Sequence, residues 1–227
     1  MPRPKPDPPT ELAVLFSGGL DSAVLLGEAV RDHVAVHPLY VRGGLFWEPD
    51  ELEFVRRFLA AVRAPALRPL TVLEAPLADV YAEHWSIRGR GVPGPDTPDA
   101  AVYLPGRNVF LLGKAMVWCH LRGVPVVALG TLSANPFPDA TDEFITAFER
   151  VVNAGVEGAV RVRRPYSGLV KAEVLRRGKD LPLELTLSCL RPVGGRHCGR
   201  CNKCQERRQA FAAARLEDRT AYAEAGE

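Results

Sequence analysis

Two stretches of the chain carry residue types whose spacing can do chemistry. The first is Leu15-Phe16-Ser17-Gly18-Gly19-Leu20-Asp21-Ser22. Two adjacent glycines let the backbone approach a ligand with no Cβ in the way. Backbone N–H groups at a helix start, with the helix dipole behind them, favour an anion. Ser17 and Ser22 add hydroxyl donors. Asp21 is out of place in a pocket for anions alone; it either caps the helix or holds a magnesium ion that phosphates share. With no Gly-x4-Gly-Lys-Ser/Thr and no loop lysine, this is not the Walker form. The second stretch is Cys189, Cys198, Cys201 and Cys204, spaced Cys-x8-Cys-x2-Cys-x2-Cys. Cys-x2-Cys lets one turn present two sulfurs to one ion, and four thiolates close a tetrahedral zinc site, which makes it structural and not catalytic. Such a site contributes on the order of 10–16 kcal/mol to local folding. An iron–sulfur cluster is the alternative metal. Disulfides are disfavoured in a reducing compartment.

These residues need elements to hold them. The apolar run Leu12 to Phe16 reads as a strand, and Ala23 to Val30 has apolar residues at helical spacing, so the glycines form a strand–turn–helix junction. Val34 to Val41 reads as a second strand, Glu48 to Val62 as a helix, and Leu67 to Leu73 as a third strand whose Pro69 predicts a sheet edge. The β-α-β-α-β order implies a parallel sheet with right-handed crossovers. From Glu74 to Pro105 the period is lost, and Ile87 to Pro98 is rich in glycine and proline; a loop this long is expected to act as a lid or as part of a substrate or dimer surface. Val109 to Leu121 is apolar almost all round and predicts a buried helix. Val124 to Gly130 reads as a central strand. A helix follows with Phe144, Ile145, Phe148, Val151 and Val152 on one face, then a strand over Val160 to Pro165 with its basic residues outward, then a short helix over Val170 to Arg177. Ligands of open α/β sheets bind outside the carboxyl ends of the strands where the strand order reverses. The Ser17 loop, Tyr40 to Gly44, Gly130 to Asn135 and Arg164 to Gly168 are expected along that edge.

The chain has 227 residues, enough for one large domain, or a domain with a small appendage, with a substantial core. Its formal net charge of +2 argues for no particular partner. No run approaches a membrane-spanning length, and the proline-rich N-terminus lacks the apolar stretch of a signal peptide. A cytoplasmic protein is the expectation. The fifth cysteine, Cys119, lies within an apolar helical stretch and reads as a small hydrophobe. His37 in a strand reads as structural. His197 adjoins Cys198, but four cysteines already complete a site.

The Ser17 to Ser22 turn resembles the Ser-Gly-Gly-x-Asp-Ser signature of the PP-loop ATP pyrophosphatases, which cut ATP between the α and β phosphates. With the cysteines it resembles one family, the 7-cyano-7-deazaguanine synthases. The marks, from Leu12 to about Phe211, are that turn, Leu104-Pro105-Gly106-Arg107-Asn108, Pro138-Asp139 before Glu143-Phe144, Lys171-Ala172-Glu173-Val174, and Leu183 to Cys189 with the three later cysteines. The resemblance implies an α/β fold: a doubly wound, mostly parallel sheet of the adenine nucleotide alpha-hydrolase type with a small zinc-binding C-terminal appendage. The expected organisation is a proline-rich tail over 1–10, a PP-loop domain over 11–182 with an insertion at 74–105, and a zinc-binding region over 183–227. It implies an ATP-dependent carbon–nitrogen ligase acting on 7-carboxy-7-deazaguanine with free ammonia, and a homodimer. ATP, Mg2+ and Zn2+ are the implied cofactors. Ser17, Asp21, Ser22 and Lys171 are the expected catalytic residues. Phe16, Gly18, Gly19, Leu20 and Gly130 join the first three at the nucleotide. Arg107, Asn108 and Asp139 face the substrate. Lys171 alone reads equally as a surface lysine at a helix start or as a phosphate contact.

The chain departs from the family's pattern at three places. Gly168 stands where an Asp usually precedes Leu-x-Lys, residues 134–141 keep only Pro-Asp of the usual Ser-Gly-Tyr-Pro-Asp-Cys-Arg, and Ala23-Val24 replaces threonines. A PP-loop paralogue that adenylates another acid, or modifies a protein or tRNA partner, is therefore the first alternative. The second is a zinc-ribbon nucleic-acid binder using Arg191, Arg196, Arg200, Lys203, Arg207 and Arg208, although a charge cluster of this kind is ordinarily a solvated face.

Overall fold

The computed structural model describes residues 10–133 and 135–223. Most of the expected N-terminal tail, residues 1–9, and Ala134 lie outside the described residues.

Five parallel strands form one sheet in the order β3-β2-β1-β4-β5. They are β1 (Glu11–Leu15), β2 (Ala35–Arg42), β3 (Thr71–Glu74), β4 (Val126–Ala128) and β5 (Arg161–Arg163). Leu12, Val14, Val36, Leu39, Val127 and Ala128 are buried, the pattern of a parallel sheet covered on both faces. The strand order reverses between β1 and β4, which pair directly through Ala13–Val127 and Val14–Ala128. β3 is the edge strand, as Pro69 implies, but it is shorter than expected. Pro38 has no N–H to donate toward this strand, and the register shifts by one residue between the isolated Val36–Leu67 bridge and the Leu39–Thr71 pair, so the ladder is interrupted there.

The helices α1 (Leu20–Asp32) and α2 (Glu48–Ala61) follow the first two strands. Two short helices, α3 (Ala78–Tyr81) and α4 (Trp85–Arg88), and a 3-10 turn (Asp99–Val102) interrupt the stretch read as structureless. The remaining helices are α5 (Arg107–Arg122), α6 (Asp142–Val156), α7 (Lys171–Arg177) and α8 (Asn202–Ala214). Thr141 caps α6 by accepting from the Phe144 N–H at 3.1 Å.

Three expectations are corrected. The α5 helix is not buried all round. Leu112, Ala115, Met116, Trp118 and Cys119 face the core, while Val109, Phe110, Val117 and Leu121 are exposed, Leu121 to 70%. The helix lies on the sheet and touches α6 on one flank only, so a second apolar stripe is left outside. On α6, Val151 likewise points outward, and Phe144, Ile145, Phe148 and Val152 make the buried face. On β5, Arg161 and Arg163 point outward as expected, but Arg164 beyond it turns in. It pairs with Asp142 and donates to the Ala140 carbonyl oxygen.

The cysteine-bearing region packs onto the sheet domain. Ala210, Phe211 and Ala214 of α8 belong to the same core as α1 and α7. The buried Arg207 ties α8 to the preceding segment. Its Nε donates to Thr220 Oγ1 at 2.7 Å, Nη1 to Thr186 Oγ1 at 2.8 Å, and Nη2 to the Leu183 carbonyl at 2.8 Å. An arginine this deep is tolerated because its donors are satisfied. The four cysteines share a second core with Leu45, Trp47, Phe54, Val102, Leu104, Leu187 and Leu190, against which Tyr81, Trp85, Ile87 and Val92 of the 74–105 stretch pack. Among the described residues no helix is long and apolar enough to cross a membrane.

Candidate active site

A cavity of about 680 Å³ opens at the carboxyl end of the sheet, at the reversal between β1 and β4. That is the size and place expected of a small-molecule site in such a fold. Phe16, Ser17, Gly19, Leu20, Asp21, Ser22, Gly130, Arg107, Asn108, Asp139 and Lys171 all line it. The convergence expected of Tyr40 to Gly44 and Gly130 to Asn135 is present in part, through Tyr40, Val41, Gly130, Thr131, Leu132 and Asn135. Arg164 to Gly168 do not line the cavity. β5 is the far edge strand, and the start of α7 (Val170, Lys171, Ala172) fills that place.

The glycine turn is held by geometry that only glycine accepts. Gly18 has φ +77°, and a Cβ there would stand 2.7 Å from Val55 Cγ2 of α2. Gly19 is the N-cap of α1, and no side chain caps the helix. Asp21 is therefore not a cap; it lies inside the first turn of α1. This leaves the first-turn N–H groups open toward the cavity, the arrangement that receives an anion. Ser22 Oγ donates to the Gly19 carbonyl at 3.0 Å and lies 3.3 Å from Ser17 Oγ, so the two hydroxyls sit together on the turn. The Leu187 N–H donates to the Gly18 carbonyl at 2.9 Å, which joins the cysteine-bearing segment to the turn. Gly130, just beyond β4, backs onto the helix start: a Cβ there would come within 3.1 Å of the Asp21 carbonyl.

Lys171 belongs to this site and not to the solvent. Its Nζ stands 3.2 Å from Asp21 Oδ2 and pairs with Glu206 of α8. Burial alone would lower the Lys171 ammonium; the two carboxylates outweigh it and hold its pKa well above the usual lysine range. Burial pushes Asp21 up, and Lys171 opposes it. Asp21 Oδ1 is buried with no hydrogen-bond partner. The second Glu206 oxygen lies 2.5 Å from Lys203 Nζ, and Lys203 is 3.7 Å from Asp99. The two lysines overcome burial and hold the Glu206 carboxyl down to about 2.

At the other end of the cavity, Gly106 with φ +74° turns the chain into α5. Asp139 accepts from the Asn108 backbone N–H at 3.0 Å and from Asn108 Nδ2 at 3.2 Å, while Nδ2 also reaches the Asp139 carbonyl at 3.1 Å. Asp139 is buried and spends both oxygens on the start of α5. Arg107 precedes it on the same turn. Tyr103 and Phe137 stack with centroids 5.1 Å apart on the wall of this end. Glu51 also lines it, accepting from the Tyr40 hydroxyl at 2.7 Å. Burial pushes the Glu51 carboxyl up to about 7 against the pull of Arg107 and Tyr40.

Sulfur geometry at the second motif is compact. The four Sγ atoms lie within 4.8 Å of one another, with Cys198 to Cys204 at 3.9 Å and Cys201 to Cys189 at 4.0 Å. His197 stands beside the group. Its Nε2 faces the Thr186 carbonyl at 3.1 Å and so carries the proton, while Nδ1 is 3.9 Å from Cys204 Sγ. Burial first, then Arg207, keeps the ring neutral, with a pKa near 4. His37 is structural, 3.1 Å from Glu11 and 5.5 Å from the Trp118 ring. Cys119 is buried in α5 and its thiol is pushed up to about 12 by burial, which makes it inert.

As cavity residues, Trp47, Glu51, Lys203 and Glu206 were missed by sequence reasoning. Glu48, Glu51, Lys203 and Glu206 look alike in the sequence, as charges on helices. Only the packing of α2 and α8 against the glycine turn separates those that face the cavity.

Comparison with known proteins agrees with this geometry. Residues 11–215 match the family described as "Queuosine biosynthesis protein QueC". A protein from Thiobacillus denitrificans named 7-cyano-7-deazaguanine synthase is 36% identical over 223 residues, covering 92% of this chain and 97% of that one. One of the same name from Anaeromyxobacter dehalogenans is 36% identical over 224 residues, covering 92% and 94%. Among solved structures, the U34-tRNA thiolase NcsA from Methanococcus maripaludis with its [4Fe-4S] cluster aligns with TM-score 0.50 over 92% of this chain and 72% of that one. At 11% identity that likeness is one of fold, the PP-loop, adenine nucleotide alpha-hydrolase-like fold. On its sequence, its glycine turn and its cysteine group, the chain belongs to the QueC family of queuosine biosynthesis proteins.

Proposed function

We propose that the chain is an ATP-dependent ligase that converts 7-carboxy-7-deazaguanine and ammonia to 7-cyano-7-deazaguanine, releasing AMP and pyrophosphate. Besides family membership, one observation carries the reading: the glycine turn with Lys171 and the Arg107–Asn108–Asp139 group line the same cavity. A site for phosphates and a site for a small acid are thereby in reach of each other, which is what adenylation needs.

A carboxylate is a poor electrophile until one oxygen becomes a leaving group. Attack of that oxygen on the α-phosphorus breaks the bond to the β-phosphate, giving an acyl adenylate and pyrophosphate. Ammonia displaces AMP and loses a proton, giving the amide. A second attack, by the amide oxygen, releases a second pyrophosphate; loss of AMP and of the remaining nitrogen protons leaves the nitrile. Both carboxylate oxygens depart on AMP, and no water is consumed.

In this reading the open N–H groups at Gly19 and Leu20, with Ser17 and Ser22, hold the departing pyrophosphate, and Gly18 supplies the turn. Phe16 and Gly130 flank the nucleotide. Lys171 neutralises phosphate charge as it develops. Arg107 and Asn108 hold the acid, with Asp139 fixing Asn108. The buried, unpartnered Asp21 Oδ1 suits a hard divalent cation such as Mg2+. Bound there, magnesium would supply further charge neutralisation at the phosphates.

The cysteine group suits one zinc ion. A tetrahedron with bonds of about 2.3 Å has sulfur–sulfur edges of about 3.8 Å, close to the 3.9 and 4.0 Å found. A four-iron cluster holds its cysteine sulfurs on the outside of a cube, about 6 Å apart, wider than the 4.8 Å that encloses this group. Free ammonia as nitrogen source and a homodimeric state complete the proposal on family grounds.

The test is a pyrophosphate assay with Mg-ATP, ammonia and 7-carboxy-7-deazaguanine carrying 18O in its carboxylate. The expected result is pyrophosphate release that depends on the acid, with the label recovered in AMP. Release of orthophosphate, or AMP without label, overturns the reading.

A further inference from the structure

Lys203 stands on the first turn of α8, between the metal ligands Cys201 and Cys204. It nevertheless lines the cavity of the sheet domain. Glu206, one turn on, lines the same wall and joins Lys203 to Lys171, the lysine that reaches Asp21. Asp99, also on the cavity wall, is the other carboxylate near Lys203, at 3.7 Å. Carboxylates and ammonium groups thus alternate across the mouth of the phosphate end as Asp21, Lys171, Glu206, Lys203, Asp99.

Such an array balances its own charge, and two of its members can move. Lysine has a flexible stem carrying a point charge with three donors, and both lysines here end in the cavity. A triphosphate entering between the glycine turn and α8 offers more acceptor oxygens than Glu206 and Asp99 together. The Lys203 charge already reaches Asp21 at the turn. We propose that Lys203 is a second phosphate-binding cation of the nucleotide site, presented by the metal-binding region, with Glu206 and Asp99 as the carboxylates that hold it, and in Glu206's case Lys171 too, until phosphate arrives. The inference rests on the reading that the glycine turn receives phosphates. It adds that α8 is part of the nucleotide site, so the structural metal supports nucleotide affinity through a side chain as well as through the fold.

The experiment measures equilibrium binding of inorganic pyrophosphate, Mg-ATP and AMP to the metal-loaded full chain, without acid or ammonia. Lys203→Met keeps the stem and removes the charge. Its binding of pyrophosphate and Mg-ATP is expected to weaken about ten-fold, with AMP binding unchanged; Lys203→Arg recovers most of the loss. Unchanged pyrophosphate binding, or an equal loss for AMP, overturns the proposal. Should Lys203→Met lose metal or fail to fold, Asp99→Asn carries the test. It leaves α8 intact, removes a competitor for Lys203, and is expected to tighten pyrophosphate binding; no change, or weaker binding, overturns the proposal. Turnover is not used, so failure of 7-carboxy-7-deazaguanine as substrate would sink the proposed reaction and leave this result standing.

Discussion

The Asn202 side-chain amide donates to the Thr97 carbonyl oxygen at 2.7 Å, and the Asn202 backbone N–H donates to the Pro93 carbonyl at 2.9 Å. Asn202 follows Cys201 of the cysteine group, and Thr97 belongs to the aperiodic 74–105 stretch. The cysteine group therefore anchors a loop that supplies Asp99, Val102, Tyr103 and Leu104 to the cavity wall. Removing the metal, by chelation or by Cys201→Ser, is expected to lower metal content and melting temperature, since binding energy at such a site is folding energy. It is also expected to speed proteolysis between Ile87 and Pro98. Elemental analysis, thermal melts and mapped cleavage sites check this; unchanged metal content in Cys201→Ser would mean the site is misread.

Asp21→Asn should abolish pyrophosphate release, by more than about 100-fold in kcat/KM, because electrostatic support of phosphate transfer is the largest contribution such a site makes. The fold should survive. Lys171 keeps Glu206 as partner, and burial already disfavours the Asp21 charge. Turnover and melting temperature, measured together, separate the two effects. Wild-type turnover would remove Asp21 from the mechanism.

Gly130→Ala should impair nucleotide binding more than stability. A Cβ at Gly130 would press within 3.1 Å of the Asp21 carbonyl and carbon, both backbone atoms at the start of α1. Relief requires shifting the helix start, and with it the N–H groups that receive phosphate. A KM for ATP raised about ten-fold or more is expected. A Gly130→Ala variant with an unaltered KM for ATP would show that the contact is slack.

Glu51 gives a pH-dependent stability with a definite sign. Its folded pKa, about 7, lies above the ordinary value of 4.5, so the fold favours the protonated form. That stabilisation is complete below the ordinary value and is lost as pH rises through about 7. The displacement corresponds to on the order of 3 kcal/mol by pH 8. Glu51→Gln cannot ionise and can still accept from Tyr40. Its melting temperature relative to wild type should therefore rise between pH 5 and pH 8. Parallel melting curves across that range would place the Glu51 pKa near its ordinary value.

Several features were legible in the residues because they depend on local chemistry. Gly18 and Gly19 between an apolar run and a helical repeat announced the turn. Pro69 announced the edge strand. Cys-x2-Cys-x2-Cys with Cys189 announced a group of four sulfurs, and these do converge. Composition misled at α5, where Val109, Phe110, Val117 and Leu121 are apolar yet exposed: apolar residues say what a helix can bury, and the elements packed around it decide what it does bury.

By itself the sequence determined the βαβ order, the glycine turn and the cysteine group, since backbone sterics and residue spacing act over a few residues. Only the tertiary structure decided that Lys171 faces Asp21, that Lys203 and Glu206 of α8 share their cavity, and that Glu51 is the helix carboxylate made costly by burial. The physical reason is that the role of a charge is set by what surrounds it, and those surroundings come from segments far apart in the chain.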